Sequence, residues 1–593
     1  MLYPATGAEH PQPIIEFLYI DANTGGSSGG HTAVKVGDTV YHFQNDEGFT
    51  RLTRENWQRF RFVYNDVDNR NIHSAKVALL TGDLQRIRDR LSLRFITQNR
   101  QIDYLTALQR DVSLLSALES NTPVQISGIG FFDRTPHRTA DLKDIADAIE
   151  NERGPGHIRS QRQHLQRRLE TLAYVPPAEP EPLEPDRYPI YKPTFSEQVE
   201  DLYAHWFALT MIEQGWPLRD GILIEAGQLE PTGTTPESTH PNIRWLTRYR
   251  DQLKEAIIQS LASPYPGSGP PLLLSLARYQ AISLSLSTDK FFVLDVLPKK
   301  SERSPGELGE ADKVALGRLI DQLQKTVNDL VTAGFHQPEP DESIYHRLEV
   351  AASELKESQA GLSLERSIHL SQSDGPPKGI GYAIMPNHAI PTQQLHRVRE
   401  AAAQRAQQFL LQMQRAYQYQ LITHNCVTEL VRTVNSSFEQ ENETTALGGH
   451  LDPGADQSFI PFRFFELVRG RYRVTSTEIL PSQRNRRLAQ LSQEGGSWKV
   501  WARESNTLTS EIYRPRMGDS AFLMFTEQAF WTRPLLGSLN FSYALATASV
   551  GLFTAPTDGA SLLTEGLFGM MFSVPEIGLW NIRKGTFNEM SPE

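Results

Sequence analysis

The single cysteine of this 593-residue chain, Cys426, is the first residue to consider, because any thiol chemistry must use that one sulfur. A lone cysteine excludes an intrachain disulfide and a cysteine-based zinc or iron–sulfur cage. A helix is predicted to begin at or just after it, because apolar residues recur at helical spacing at Val427, Leu430, Val431 and Val434. At a helix N-terminus the backbone N–H groups and the helix dipole stabilise a thiolate, so the pKa of Cys426 is expected to fall. The N–H groups of Cys426 and Val427 are then placed to bind the oxyanion of a tetrahedral intermediate.

A candidate base for this thiol lies near the start of the chain. Residues Val36-Gly37-Asp38-Thr39 predict a two-residue hairpin turn, because glycine at the first central position suits a type II′ turn. That turn pairs Ala33 with His42 and His31 with Gln44, and side chains alternate along a strand. His31, His42 and Gln44 should therefore share one face, with the two imidazoles within reach of each other. The opposite face is apolar enough to pack and carries Thr32, Val34, Val36, Thr39, Tyr41 and Phe43.

A strand histidine, a second polar side chain and a thiol at a helix start make a Cys–His–X arrangement for acyl transfer. Taken singly, each residue has a plainer explanation, because most lone cysteines are small buried hydrophobes. The joint pattern of His31, His42 and Asn425-Cys426 favours a catalytic pair. Asn425 is also a candidate orienting group, although its spacing assigns it no definite role.

Composition limits the class of protein. Hydrophobic residues make up 39% and charged residues 22%, which excludes a wholly disordered chain and permits a large core. The 59 Lys and Arg against 70 Asp and Glu give a net charge of −11, which argues against a nucleic-acid partner. The N-terminal residues as written lack the basic and apolar regions of an export signal, so this pattern leaves the compartment open.

The distribution of patterns predicts an α+β fold. Strand candidates in residues 1–80 are 14–20, 31–36, 39–44 and 73–80, whereas helical periodicity dominates 81–375. This helical insertion contains a proline-rich linker at 175–193 and a short strand candidate at 290–296. A further short strand candidate, 379–385, follows the insertion. The core is expected to combine an antiparallel sheet from 1–80 with the cysteine helix in 376–470, and a C-terminal region occupies 471–593.

The C-terminal region contains the longest uncharged apolar stretch, from Pro534 to Pro556. Its polar residues make it a poor transmembrane helix, which favours buried core. Two apolar segments, 536–553 and 561–580, flank a turn at 556–559 and predict a helical hairpin. This hairpin either covers the core or dips into a membrane interface, with Trp580, Arg583 and Lys584 in the headgroup region.

Several motifs together resemble a known group of proteins. His31-x-Ala33-x-x-Val36-Gly37-Asp38…His42, followed much later by Asn425-Cys426, resembles the circularly permuted papain-like fold of lecithin:retinol acyltransferase-type and NlpC-like enzymes. More closely, GGSSGGH, VYHFQ, Asp68-Asn69-Arg70 and YQLITHNC look like the bacterial Lnb-type N-terminal periplasmic domain family.

The resemblance implies a function as well as a fold. It implies Cys426 as nucleophile, His31 as general base and His42 as orienting group, with Gln44 or Asn45 as substitutes for His42. It also implies a periplasmic enzyme, peripherally associated with the inner membrane, that moves a fatty acyl chain from phospholipid to a lipoprotein amine. The thioester chemistry requires no cofactor and no metal.

Other interpretations stay open. Hydrolysis of peptidoglycan peptides by a papain-like peptidase or amidase competes with lipid chemistry, and a non-catalytic envelope scaffold is a third possibility. Gly26-x-Ser28-x-Gly30 formally fits a serine-hydrolase elbow, but that elbow needs a helix after the serine, where a strand is predicted. A metal site from His31, His42 and His73 lacks any known ligand spacing. The oligomeric state is not predictable from these patterns.

Overall fold

The computed structural model describes residues 13–22, 29–46, 48–133, 141–175, 183–219, 221–224, 243–288, 291–297, 310–334, 337, 339–366, 368, 379–385, 391–438, 440–513, 519–526, 531–558, 560–578, 582 and 584–585. The strands in these ranges are β1 (Ile14–Ile20), β2 (His31–Val36), β3 (Thr39–Asp46), β4 (Phe49–Asn56), β5 (Ile72–Ala78), β6 (Val124–Ile126), β7 (Gly221–Ile224), β8 (Phe291–Leu294), β9 (Gly381–Ala383) and β10 (Val474–Leu480).

The α-helices are α1 (Trp57–Arg61), α2 (Thr81–Ser120), α3 (Asp141–Arg153), α4 (His157–Thr171), α5 (Phe195–Gln214), α6 (Ile243–Ala262), α7 (Gly269–Thr288), α8 (Glu310–Gly334), α9 (Glu342–Ser363), α10 (Thr392–Tyr417), α11 (Cys426–Asn435), α12 (Gln440–Leu447), α13 (Pro461–Arg471), α14 (Gln483–Gly495), α15 (Ser497–Glu504), α16 (Arg533–Asp558) and α17 (Ser561–Ile577). A π-helix at Phe62–Val67 follows α1 directly, and a 3₁₀ turn occupies Ile129–Phe131.

A six-stranded sheet forms the centre of the first part of the chain. Its strand order is β10-β5-β1-β2-β3-β4, and every neighbouring pair is antiparallel. The β-branched and aromatic residues of β1, β2 and β3 suit a pleated surface that is buried on both faces. Together with the helices, this sheet confirms the α+β class.

The hairpin between β2 and β3 has the predicted register. Val36 pairs with Thr39 and Val34 with Tyr41, so the connection has two residues. Gly37 has a φ of 60°, in the left-handed region that glycine adopts without a steric penalty. This turn fixes which side chains point to each face of the sheet.

The two faces of the sheet carry separate apolar clusters. One cluster contains Phe17, Tyr19, Val34, Tyr41 and Phe43, and the helix α11 packs on it through Val427, Leu430, Val431 and Val434. The other contains Leu18, Ile20, Ala33 and Val40, covered by Phe60 of α1 and Tyr64 of the π-helix. Helix α11 and the π-helix therefore lie on opposite faces of the sheet.

The chain divides into two compact units, the first with 1–99, 184–188 and 413–591, and the second mainly with 100–183 and 189–412. The predicted boundaries at 80 and 375 lie well before these borders. One reason is that α2 and α10 are continuous helices, so no change of pattern marks residue 99 or 412. β10 also lies beyond the predicted core segment 376–470, yet it pairs with β5. Its side chains are mostly exposed, so hydrophobic pattern gave no sign of that pairing.

The second unit is mainly helical, as predicted for the insertion. Strand β9, from the predicted segment 379–385, pairs with β6 in this unit and does not join the core sheet. The strand predicted at 290–296 appears as β8 and pairs with β7. Within the described part of the linker 175–193, there is no helix or strand.

The C-terminal region of the first unit contains the predicted helical hairpin, α16 and α17. The prediction that its apolar stretch forms buried core is wrong. Leu535, Leu552 and Phe553 are 66%, 66% and 88% exposed. Hydropathy counts apolar residues along the chain, but it does not show which of them other parts of the protein cover. Of the residues assigned to the headgroup region, Trp580 and Arg583 lie outside the described residues, and Lys584 is buried.

Candidate active site

The thiol lies at the beginning of α11, where an asparagine caps the helix. The Asn425 side-chain oxygen accepts hydrogen bonds from the N–H groups of Val427 (2.9 Å) and Thr428 (3.0 Å), and the Thr428 hydroxyl accepts from the Asn425 N–H (2.8 Å). The Asn425 amide nitrogen also donates to the carbonyls of Leu421 and Phe459. Asn425 therefore fixes Cys426 as the first helical residue and positions its thiol.

The cap adds a second partner for one of the predicted oxyanion donors. The N–H of Val427 donates to Asn425 Oδ1. The N–H groups of Val427 and Cys426 both also favour the charged form of the Cys426 thiol. Asn at the N-cap predicted a cap but not which N–H groups it would bind.

The predicted fall in the thiol pKa is wrong. Burial raises the pKa of Cys426, and hydrogen bonding from Thr32, Val427 and its own N–H opposes this only in part. Cys426 is partly exposed and packs against the apolar cluster beneath α11. The helix N-terminus was expected to dominate, but desolvation by the neighbouring apolar side chains outweighs it.

Thr32 is a residue of this site that sequence reasoning missed. It is fully buried, and its hydroxyl makes no well-formed hydrogen bond within the described part of the chain. Both its side chain and its backbone N–H act to lower the pKa of Cys426. This buried hydroxyl lies beside the Cys426 thiol, where it favours the thiolate.

The two predicted histidines contact each other directly. His31 Nε2 lies 2.9 Å from His42 Nδ1, and the His31 ring stacks on Tyr64 with centroids 5.5 Å apart. His42 is fully buried, whereas His31 is half-buried at the first position of β2. The expectation that these side chains share a face and touch is confirmed.

A glutamate extends this pair into a chain of three groups. His42 Nε2 lies 3.7 Å from Glu55 Oε1, and Arg59 lies on the far side of the same carboxylate at 3.9 Å. Burial would raise the pKa of Glu55, but hydrogen bonding and the charges of His42 and Arg59 outweigh it, and the pKa falls. Glu55 was missed because its proximity depends on β4, where it pairs with Val40 and so lies diagonal to His42.

The His31 imidazole is held in its neutral form. Burial lowers its pKa well below the ordinary value, and the neighbouring charges of His42 and Arg70 lower it further. Arg70 belongs to the Asp68-Asn69-Arg70 motif and stands over the Tyr64 ring at 5.3 Å. A neutral imidazole oriented by a second group is the form that can accept a proton.

The proposed substitutes for His42 have other partners. The Gln44 side chain shares the histidine face, as predicted, but its amide donates to the Tyr64 hydroxyl at 3.0 Å. Asn45 accepts from the N–H of Gly48 in the β3–β4 turn. Among the candidates named from the sequence, His42 is thus the one in contact with His31.

The structure does not place the thiol against either imidazole. Thr32 and Val34 face α11, whereas His31 and Ala33 face the opposite side with Tyr64. Within the described residues, no hydrogen bond or ring contact joins Cys426 to His31 or His42. The thiol and the His31 imidazole therefore lie on opposite faces of β2.

Another histidine lies on the same face as the thiol. His73 of β5 pairs with Tyr19, which in turn pairs with Thr32, so one strand separates His73 from β2. Its Nε2 lies 2.9 Å from Asp21 Oδ1. His73 is a useful comparison for His31, because it is an oriented imidazole of the same sheet.

The serine-elbow interpretation lacks the helix it requires. β2 begins at His31, and Gly26 and Ser28 lie outside the described residues. Comparisons of the chain with known protein families, curated proteins and solved structures give no match.

Proposed function

We propose that the protein is a cysteine-dependent acyl-transfer enzyme with a permuted papain-like core, in which Cys426 is the nucleophile and His31 the general base. One observation carries the proposal. His31 has a neutral imidazole that contacts His42, and His42 in turn faces the ionised Glu55. His31 also directly precedes Thr32, which lies beside the thiol. A non-catalytic scaffold has no need for an oriented, neutral imidazole next in sequence to a residue that lies beside its only thiol.

The pKa directions favour general-base catalysis over a preformed ion pair. The pKa of Cys426 is raised by burial, and that of His31 is lowered, so both groups are neutral at rest. The Cys426 sulfur attacks an ester carbonyl while its proton passes to His31. The C–O bond breaks, the alcohol leaves with that proton, and a thioester remains on Cys426. An amine then attacks the thioester, and its proton returns through His31 to the sulfur.

In this mechanism His31 and the thiol meet at the beginning of β2 when substrate binds, since catalytic distances are often long until then. Gly29 and Gly30 precede His31 with φ values of 94° and 95°, and a Cβ on Gly30 would lie 2.4 Å from the Ile20 carbonyl oxygen. Gly30 therefore lets the chain approach β1 closely just before the strand begins at His31.

The substrates follow from the resemblance. A phospholipid supplies the acyl chain and a lipoprotein amine accepts it, at the periplasmic side of the inner membrane. The Cys426 N–H and the Thr32 hydroxyl stabilise the oxyanion, and Asn425 holds the helix start in place. The chemistry needs only the side chains already described.

Intact-mass analysis tests this mechanism. The full chain is incubated with diacyl phospholipid, with and without hydroxylamine. We expect a hydroxylamine-labile increase of one fatty acyl chain, absent in Cys426→Ala. In His31→Gln it should form about a thousandfold more slowly, because nucleophile and base act as a unit.

His73→Gln is the matched control, because it removes an oriented imidazole from the same sheet without touching the His31–His42 pair. It should acylate at the rate of the unaltered protein. Loss of acylation in His73→Gln with an unaffected His31→Gln would overturn the base assignment. An acyl-enzyme that forms only with peptidoglycan peptides would retain the mechanism and reject the lipid donor. No acyl-enzyme with either substrate would reject the enzyme proposal.

A further inference from the structure

Helices α16 and α17 bury small and polar side chains and expose large apolar ones. α16 buries a single stripe along its length, consisting of Arg533, Gly537, Asn540, Ala544, Ala548 and Gly551. α17 does the same with Gly566, Gly569, Ser573 and Glu576. Every buried position in these two stripes is thus small or polar. A helix of a water-soluble protein normally buries its large apolar residues instead.

The large apolar residues of the hairpin lie on the outside. On α16 they are Leu535, Leu539, Leu545, Val550, Leu552 and Phe553, each between 45% and 88% exposed. On α17, Leu567, Phe568, Met571, Val574 and Ile577 are between 42% and 57% exposed. The exposed apolar surface therefore extends over both helices and along the length of the hairpin. Such a surface is unfavourable in water and needs an apolar environment.

The small residues allow the two backbones to approach closely. A Cβ on Gly566 would lie 2.4 Å from the Ala548 backbone nitrogen, and one on Gly551 would lie 2.2 Å from that of Leu563. Close packing through glycine and alanine is the usual way in which helices associate in lipid, where burying leucine brings no gain over contact with acyl chains. The packing within the hairpin and the exposure outside it thus point to the same surroundings.

The buried polar groups of the hairpin are paired with residues that pack against it. Glu576 and Lys584, both almost fully buried, form an ion pair at 2.6 Å, and the Lys584 ammonium also donates to Ser573. The Asn540 amide accepts from the N–H groups of Leu523 and Met524 and donates to the Met524 carbonyl. Polar groups that are satisfied in this way can be kept away from water.

We propose that the α16–α17 hairpin is embedded in the acyl-chain region of a lipid bilayer. Residues Arg533–Thr554 form the one stretch in the described chain that is long and apolar enough to cross a membrane, with a mean hydropathy of 1.3 and 28% of its most apolar window buried. Its 22 residues extend about 33 Å as an α-helix, close to the roughly 30 Å of a bilayer's hydrocarbon core. α16 carries no charged side chain between Arg533 and Asp558. This inference rests on the hairpin alone and is independent of the role of Cys426.

The alternative is that a second copy of the chain covers the apolar surface of the hairpin. A dimer contact would favour one apolar patch on one side, whereas here the apolar side chains cover the outer surface of both helices. The net charge of −11 also argues against attraction by acidic headgroups, so insertion should depend on apolar contact alone. Vesicles of zwitterionic lipid are therefore the appropriate probe.

A single-cysteine label tests the proposal directly. Phe553→Cys in a Cys426→Ala background gives the full chain one thiol, at the most exposed apolar position among the described side chains of the hairpin. An environment-sensitive fluorophore is attached there, and phosphatidylcholine–phosphatidylethanolamine vesicles are added. We expect a blue shift, quenching by lipids that carry a spin label on the acyl chain, and co-flotation that persists in roughly 0.5 M NaCl, where exposed charges are screened.

Two pairs of substitutions make the test specific. Val550→Glu with Leu552→Glu should lower vesicle partitioning at least tenfold, because charges are strongly disfavoured in hydrocarbon. Val175→Glu with Ile190→Glu, at positions 69% and 96% exposed outside the hairpin, should leave it unchanged. A labelled protein that stays out of the floating fraction, or that floats without quenching, would overturn the proposal. A blue shift without lipid, together with a dimer mass by light scattering, would assign the surface to a second copy.

Discussion

Helices α11 and α16 belong to the same unit of the chain but bury opposite kinds of residue. α11 packs large apolar residues, Val427, Leu430 and Val431, against the sheet. α16 buries Gly537 and Ala544 and leaves most of its leucines exposed. Both helices are rich in apolar residues, so composition does not separate them. The difference lies in the surroundings, since α11 is stabilised by excluding water, whereas α16 gains from close backbone packing.

Truncating a leucine on each helix is the sharpest way to break this comparison. Leu430→Ala should destabilise the first unit by about 2–5 kcal/mol, because it leaves a cavity in the buried core. Leu539→Ala, at a position that is 45% exposed, should cost less than about 0.5 kcal/mol. Pulse alkylation of the only cysteine under increasing denaturant, in lipid micelles, measures the unfolding of α11 in both variants. Equal losses would mean that α16 packs as an ordinary core helix.

The buried polar groups of the two regions also differ, and Thr32 tests that difference. The Asn540 amide is fully paired, whereas the Thr32 hydroxyl has no well-formed partner in the described chain. Thr32→Val should slow acylation of Cys426 about a hundredfold, as expected when a donor to an oxyanion is removed. The measurement is the rate of thioester formation by mass spectrometry.

Thr433→Val is the control for this substitution. The Thr433 hydroxyl is also buried, but it donates to the Glu429 carbonyl within α11. Its loss should alter stability slightly and leave the acylation rate unchanged. Equal acylation in Thr32→Val and the unaltered protein would remove Thr32 from the site.

Enlarging a glycine tests the close packing of the hairpin. Gly566→Leu places a side chain where the backbone of Ala548 lies, so the two helices must move apart at a cost of about 1–3 kcal/mol. Faster hydrogen exchange of the α16 and α17 amides in lipid would report that opening. Gly470→Leu in α13, where a Cβ meets nothing within 4 Å, should leave exchange unchanged. Unchanged exchange in Gly566→Leu would show that the close approach does not hold the hairpin together.

The smallest expected effect concerns the apolar surroundings of the thiol. Because burial raises the pKa of Cys426 and the pKa of His31 is lowered, the thiolate should appear only at alkaline pH. The rate of alkylation by iodoacetamide should therefore keep rising above the ordinary thiol value of about 8.5. An exposed Ser263→Cys in the Cys426→Ala background should level off near that value. A plateau for Cys426 between about pH 5 and 7 would indicate a thiolate–imidazolium pair instead.

Local pattern was enough for several features of the candidate site. The period of Val427, Leu430 and Val431 located α11, and the Gly37-Asp38 turn set the register that brings His31 to His42. Both predictions succeeded because helix periodicity and a two-residue turn are decided by residues close together in the chain. The α+β class followed from the same local signals.

The tertiary structure decided what those signals leave open. The packing of distant segments determines on which face of the sheet α11 lies. It therefore also determines that Cys426 lies beside Thr32 and not beside His31. The place of Glu55 beside His42 depends on β4, and the exposed edge strand β10 joined the sheet without a hydrophobic pattern. The sequence determined that the chain has an apolar hairpin, and only its packing showed that the small residues face inward. The reason is that periodicity defines a helix and its faces, whereas the choice of the face to be covered depends on the partner.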